Sequence, residues 1–309
     1  MNTKSPVHNS SAHFDLTYVI LLAATACLGG LLFGFDIAII TGAGPFLTEH
    51  FHLNDLSLGV AFSSLLFGCV LGSAIAGRVT DLYGRRSILL WVAIGFAITS
   101  LATGLASSFV IFLIGRFLGG VAVGGVSILS PMYVAEISPP RMRGRMGALY
   151  QMSIIIGILM SYSINYMLRN SGPDNWRWMF ITGALPAILF FLLLLRAPET
   201  PRYLMIAGRE QEAFDILQRI AGHDSAHAEL AAIRTSLLDR RNSWRSLLQD
   251  RARRAVAVSF FLAILVHVSG INTVIDYAPA IFESAGWGID VALFSTFIIG
   301  LTNCAITLL

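Results

Sequence analysis

Asp36 and Arg116 each sit deep inside a long apolar stretch, Asp36 ending the run Gly30-Leu-Leu-Phe-Gly-Phe-Asp36 and Arg116 opening Gly-Arg-Phe-Leu-Gly-Gly. An isolated carboxylate in such surroundings is expensive, so it must find a cation or take up a proton. Arg116, whose guanidinium stays protonated, is the obvious partner. Such a pair does proton chemistry, or it is a permanent structural ion pair. A second set of charges fills residues 77 to 86, Gly-Arg-Val-Thr-Asp-Leu-Tyr-Gly-Arg-Arg, between two apolar stretches each long enough to cross a bilayer. Gly77, Arg78, Asp81, Gly84, Arg85 and Arg86 thus form one tight charged loop, and Glu136, Arg143, Glu199 and Arg202 stand at the ends of other apolar stretches. If those ends face one compartment, carboxylates and guanidiniums can pair bidentately between helices and latch a gate. The alternative is that these arginines only anchor topology and bind lipid headgroups.

Other chemistry is not offered. Cys27, Cys69 and Cys304 lie in apolar stretches without metal-ligand spacing and are read as small packing residues. His50 and His52 lack a third ligand, so no metal site is expected. The glycines of residues 115 to 125 fall at four-residue spacing without the strand-turn-helix context of a nucleotide loop, so they are read as close helix contacts and no cofactor is expected. No basic patch interleaved with aromatics is present, which argues against a nucleic-acid partner.

The elements that carry these residues must be membrane helices. Hydrophobic residues make up 55% of the 309, charged residues 13%, and the mean hydropathy is +0.71, which excludes a soluble globular domain. Eight apolar segments of bilayer-spanning length are expected, over residues 16–41, 58–77, 87–106, 109–134, 147–168, 177–196, 255–282 and 291–309. The fold class is therefore an all-α polytopic membrane protein. A secretory signal is not expected, because the first fifteen residues are polar and the next apolar run is too long.

Eighteen of the twenty-one basic residues fall on one side if the amino terminus is cytoplasmic, and the strength of that bias sets the expected orientation in the cell membrane. Four parts follow: a cytoplasmic tail over 1–15, a six-helix bundle over 16–196, a polar cytoplasmic linker over 197–254, and the first two helices of an incomplete second bundle over 255–309. Within the linker, 209–220 and 228–238 carry apolar residues at helical spacing. Leu309 closes an apolar run with no polar flank, so the chain reads as truncated within its second half.

The ordered motifs narrow the reading further. After Gly77 to Arg86 and Arg116 come Pro131 to Glu136, Pro139-Pro-Arg141 with Arg143, Gln151, Pro198-Glu-Thr-Pro-Arg-Tyr-Leu204, and Ser269-Gly-Ile-Asn272. Together they resemble the sugar porter family of the major facilitator superfamily, which includes xylose and proton symporters and glucose facilitators. The resemblance runs from Leu16 to the last residue. It implies the major facilitator fold, two six-helix halves joined by a cytoplasmic linker. It also implies transport of a sugar or polyol by alternating access, without enzymatic chemistry. In proton-coupled members an aspartate occupies the position of Asp36, so proton symport with Asp36 and Arg116 as the coupling pair is the expected mode. The opposing expectation is a truncated, non-transporting relic or a membrane sensor of the same ancestry.

Phe33, Gln151 and Asn272 match family positions that contact sugar, although a buried amide can also bond a neighbouring helix and a membrane phenylalanine is often only apolar. The seventh span departs from the pattern. Where relatives carry paired glutamines this chain has Val266 and His267, and where they carry paired tyrosines it has Asp276 and Tyr277. His267 is either a substrate contact or an interhelical hydrogen bonder. Asp276, four residues from Asn272 and on a similar helical face, could bind an amino-bearing substrate, act as a second proton site, or be solvated in an outer vestibule.

Overall fold

The computed structural model describes residues 16–139, 142–238 and 250–308, and all regular structure among them is helical. Helices α1 (Leu16–Phe51), α2 (Asp55–Tyr83), α3 (Arg85–Gly104), α4 (Phe109–Ile137) and α5 (Arg143–Leu168) each cross the bundle unbroken. The sixth span is divided into α6 (Asn175–Ile181) and α7 (Ala184–Leu194). Pro186 has no N–H to offer the Thr182 carbonyl, which loosens the backbone at Thr182-Gly183. Three short helices follow, α8 (Pro201–Ile206), α9 (Glu210–Ala221) and α10 (His223–Leu238), of which the latter two occupy the stretches read as helical from their spacing. The chain continues with α11 (Asp250–Val268), α12 (Ile271–Asp276), α13 (Ala278–Ser284) and α14 (Ile289–Leu308). Seven segments among the described residues are long and apolar enough to cross a membrane, including 175–194 taken as one.

The segment read as a single seventh span is three helices instead. Gly270 takes φ +72, a left-handed conformation that ends the helical run at Ser269. Pro279 opens α13, where its ring would meet the carbonyl four residues back, so Tyr277 becomes a second break. Helix α1 also runs ten residues further than its apolar stretch implied, reaching Phe51.

Close helix contacts hold the bundle. A Cβ on Gly120 or Gly124 of α4 would strike the backbone oxygens of Leu65 and Cys69 on α2, and a Cβ on Gly68 or Gly72 would strike those of Phe117 and Val121. The two helices therefore touch backbone to backbone through small residues spaced by four. Gly34 and Gly157 make the same kind of approach between α1 and α5. Side chains around Phe96, Val126, Leu129 and Tyr133 fill one core, and Phe35, Phe112, Trp176 and Phe180 fill a second. Amphipathic α9 turns Ala213, Leu217 and Ile220 inward, with Ile220 joining the first core. Helix α14 packs against α5, where Arg169 donates to Asp290 at 2.5 Å. By contrast, the described side chains of α11 are exposed, Phe260 and Phe261 among them.

Candidate functional site

The fold brings Asp36 on α1 and Arg116 on α4 together. Nη1 of Arg116 donates to Oδ1 of Asp36 at 2.7 Å and Nη2 donates to the Asp36 backbone carbonyl at 3.3 Å. Both side chains are almost fully enclosed, 2% exposed for Arg116 and 9% for Asp36. The guanidinium also lies over the Phe180 ring, 5.4 Å from its centroid. Oδ2 of Asp36 has no hydrogen-bond partner among the described residues, which leaves one carboxylate oxygen open to a proton. Removing one partner from such a pair strands a buried charge at a cost of roughly 3–5 kcal/mol. The two charges therefore depend on each other to remain buried.

A cavity of about 160 Å³ opens beside this pair, lined by Arg116, Phe62, Thr273, Asp276 and Tyr277 among others. Asp276 and Tyr277 also line a neighbouring cavity of about 400 Å³ with Thr41, Glu49, Asp55 and Glu283. Tyr277 stacks on Phe62 with ring centroids 4.9 Å apart and planes 22° from parallel, pinning the α12–α13 junction to α2. Neither Phe33 nor Gln151 lines these two cavities. Phe33 is half-buried and packs against the first core, whereas Gln151 is exposed on α5. His267 and Asn272 lie in helical backbone of α11 and α12, and their side chains are outside the described set.

The charged loop and its partners form a compact network at the arginine-rich end of the bundle. Arg85, 2% exposed, donates to Asp81 at 3.0 Å, to the Thr80 carbonyl at 3.2 Å and to Glu136 Oε1 at 3.4 Å, and pairs in charge with Glu136 at 3.2 Å. Gly84 takes φ +91 in the turn between α2 and α3, and a Cβ there would strike the Glu199 carboxylate and crowd the Tyr203 ring. Arg202 approaches Glu136 at 3.9 Å, while Arg78 is exposed and a Cβ on Gly77 would meet nothing within 4 Å.

Three of these residues act on helix ends, a use that their types alone did not reveal. Glu199 accepts from the backbone N–H of Arg85 at 2.9 Å, of Arg86 at 3.1 Å and of Thr200 at 2.9 Å, so it caps the start of α3 from outside. The guanidinium of Arg86 donates to the Leu194 and Leu195 carbonyls at 2.9 Å each, closing the end of α7. Arg143 donates to Ala135 O at 3.1 Å and Ser138 O at 3.3 Å at the end of α4, and reaches Glu229 of α10 at 3.2 Å. Sequence reading also passed over Asn165, a buried amide that donates to the Ile39 carbonyl at 3.1 Å and ties α5 to α1. An amide inside an apolar span, in its last turn, was the available signal.

Residues 22–309 match the family model described as sugar (and other) transporter. The chain belongs to the sugar porters of the major facilitator superfamily. It is 38% identical over 302 residues to the arabinose-proton symporter of Bacillus subtilis, covering 96% of this chain and 65% of that protein. It is 35% identical to the D-xylose-proton symporter of Escherichia coli, covering 100% of this chain and 67% of that one. The solved structure of the proton:xylose symporter XylE bound to 6-bromo-6-deoxy-D-glucose superimposes with a TM-score of 0.85 at 34% identity, over 96% of this chain and 69% of that chain. The chain therefore spans about two thirds of the length of the relatives it matches. Sugar porters are multi-pass transporters of the plasma membrane, not enzymes.

Proposed function

We propose that this protein moves a sugar or polyol across the membrane together with protons, by alternating access. The observation that carries the reading is the enclosed Asp36–Arg116 pair, set in the first and fourth spans with one carboxylate oxygen free of hydrogen bonds among the described residues. Protonation of Asp36 removes the charge that holds Arg116, and a change in that pairing can be felt by α1, α4 and, through Phe180, α6. Its relatives' names support the same coupling, since the symporters of B. subtilis and E. coli are described as proton-linked carriers of arabinose and xylose.

The arginine-rich end faces the cytoplasm in this reading, because the basic residues gather there so heavily. Asp81, Arg85, Glu136 and Arg202 then stiffen the inner ends of α2, α3, α4 and α8, and Glu199, Arg86 and Arg143 fasten helix termini around them. In this reading sugar hydroxyls are met by Gln151, by Asn272 and His267 on the broken seventh span, and by Asp276 and Tyr277 beside Phe62, with Phe33 backing α1 from the first core. A broken span suits this task, since freed backbone groups at its ends can also meet polar ligands. The test is uptake of labelled pentoses, hexoses and polyols into proteoliposomes with an imposed pH gradient. Accumulation above the equilibrium level, abolished by a protonophore, is the expected result. Equilibration that ignores the gradient would refute proton coupling.

A further inference from the structure

Arg116 cannot give up its proton, and at 2% exposure it cannot turn to water when Asp36 is neutralised. A second anion facing the space beside the pair would spare the guanidinium from being left as an unpaired buried charge at that step of the cycle. Among the residues lining the 160 Å³ cavity that Arg116 borders, Asp276 is the one carboxylate. We propose that Asp276 is the second partner of Arg116, receiving the guanidinium when a proton neutralises Asp36. The inference rests on the symport reading above and adds a residue to it.

The placement of Asp276 gives the exchange a mechanical consequence. Asp276 ends α12 beside Tyr277, whose ring is stacked on Phe62 of α2. Moving Arg116 from α1's carboxylate to that of α12 would tie α4 to the seventh span, and so join the first bundle to the segment that follows the linker. Proton arrival at Asp36 would then draw the α12–α13 junction down onto the cavity. The proton count is simple: one proton is taken up at Asp36, Arg116 keeps its charge throughout, and Asp276 has to be ionised to receive it.

Other charged and titratable groups face Asp276 from each neighbouring element. Glu49 on α1, Asp55 on α2 and Glu283 on α13 share the larger cavity with it, and Thr41 and Tyr162 lie near it on α1 and α5. Those three carboxylates do not line the cavity that holds Arg116, so they surround Asp276 without offering the guanidinium a landing place.

The test is the pH profile of gradient-driven sugar uptake in proteoliposomes, for the wild type, Asp276→Asn and Asp276→Glu. With Asp276 neutral, Arg116 has only Asp36 to hold, and protons must compete against an undivided pair. The midpoint for Asp276→Asn is expected to fall by about one pH unit or more, and Asp276→Glu is expected to restore it. If Asp276→Asn abolishes uptake, recovery by Asp276→Glu supports the exchange. An unchanged midpoint in Asp276→Asn, or equal loss in both variants, would overturn it by reducing the position to one of shape. A wild type that shows no gradient-driven accumulation would instead sink the symport reading and this inference with it.

Discussion

Replacing Glu199 separates two roles that its chemistry allows. Its carboxylate accepts three backbone N–H groups at 2.9 to 3.1 Å, two of them the orphan donors that open α3. Loss of a helix cap costs about 1–2 kcal/mol, and a hydrogen bond to a charged acceptor contributes more than a neutral one. Because Glu199 is half-buried and caps with two such bonds while also holding Thr200, Glu199→Ala is expected to destabilise by about 2–3 kcal/mol. Glu199→Gln keeps one acceptor oxygen but loses the charge, so roughly 1 kcal/mol is expected. Arg202→Ala removes only a 3.9 Å approach from a side chain 38% exposed, which contributes under about 1 kcal/mol. Denaturant titration of the purified protein in detergent, followed by circular dichroism, ranks the three. If Arg202→Ala proved as damaging as Glu199→Ala, Glu199 and its neighbours would be acting as an ion-pair cluster, and the capping argument would be wrong.

Two further substitutions probe the site from different sides. Gly84→Ala forces a side chain into a left-handed turn against Glu199 and Tyr203, so a loss of more than about 2 kcal/mol is expected in the same titration; a neutral result would mean that the turn relaxes freely. Gln151→Ala, on an exposed position of α5, is expected to change stability by less than about 0.5 kcal/mol while weakening sugar binding at least tenfold by isothermal calorimetry. Unchanged binding would remove Gln151 from the sugar site.

What the sequence made legible followed from costs that leave few alternatives. A bilayer demands about twenty apolar residues per crossing, so most spans could be read directly. A lone carboxylate in the first span demands a partner, and Arg116 was the cation available at matching depth; the pair was therefore readable before any contact was known. The small-residue contact between α2 and α4 was also visible as Gly115 to Gly125 spacing, although its partners on α2, Gly68 and Gly72, needed the packed bundle to appear.

Glu199, Arg86 and Arg143 were harder, because the same ions can pair with each other or with helix ends, and sequence spacing does not tell these apart. Which one happens depends on where α7 and α8 bring the chain relative to the α2–α3 turn. The breaks of the seventh span were marked by Gly270 and Pro279, but its hydropathy is continuous across them, and the apolar run dominated the reading. Phe33 shows the same limit. The family resemblance makes it a sugar contact, whereas the helix turns it against the first core.

The central claim is that Asp36 couples a proton to sugar movement through Arg116, and Asp36→Asn in proteoliposomes tests it most directly. The account predicts that this variant loses gradient-driven accumulation while still exchanging internal for external sugar in counterflow, because the amide mimics the protonated acid and Gln151 and Asn272 are unchanged. Accumulation at the wild-type level in Asp36→Asn would contradict it.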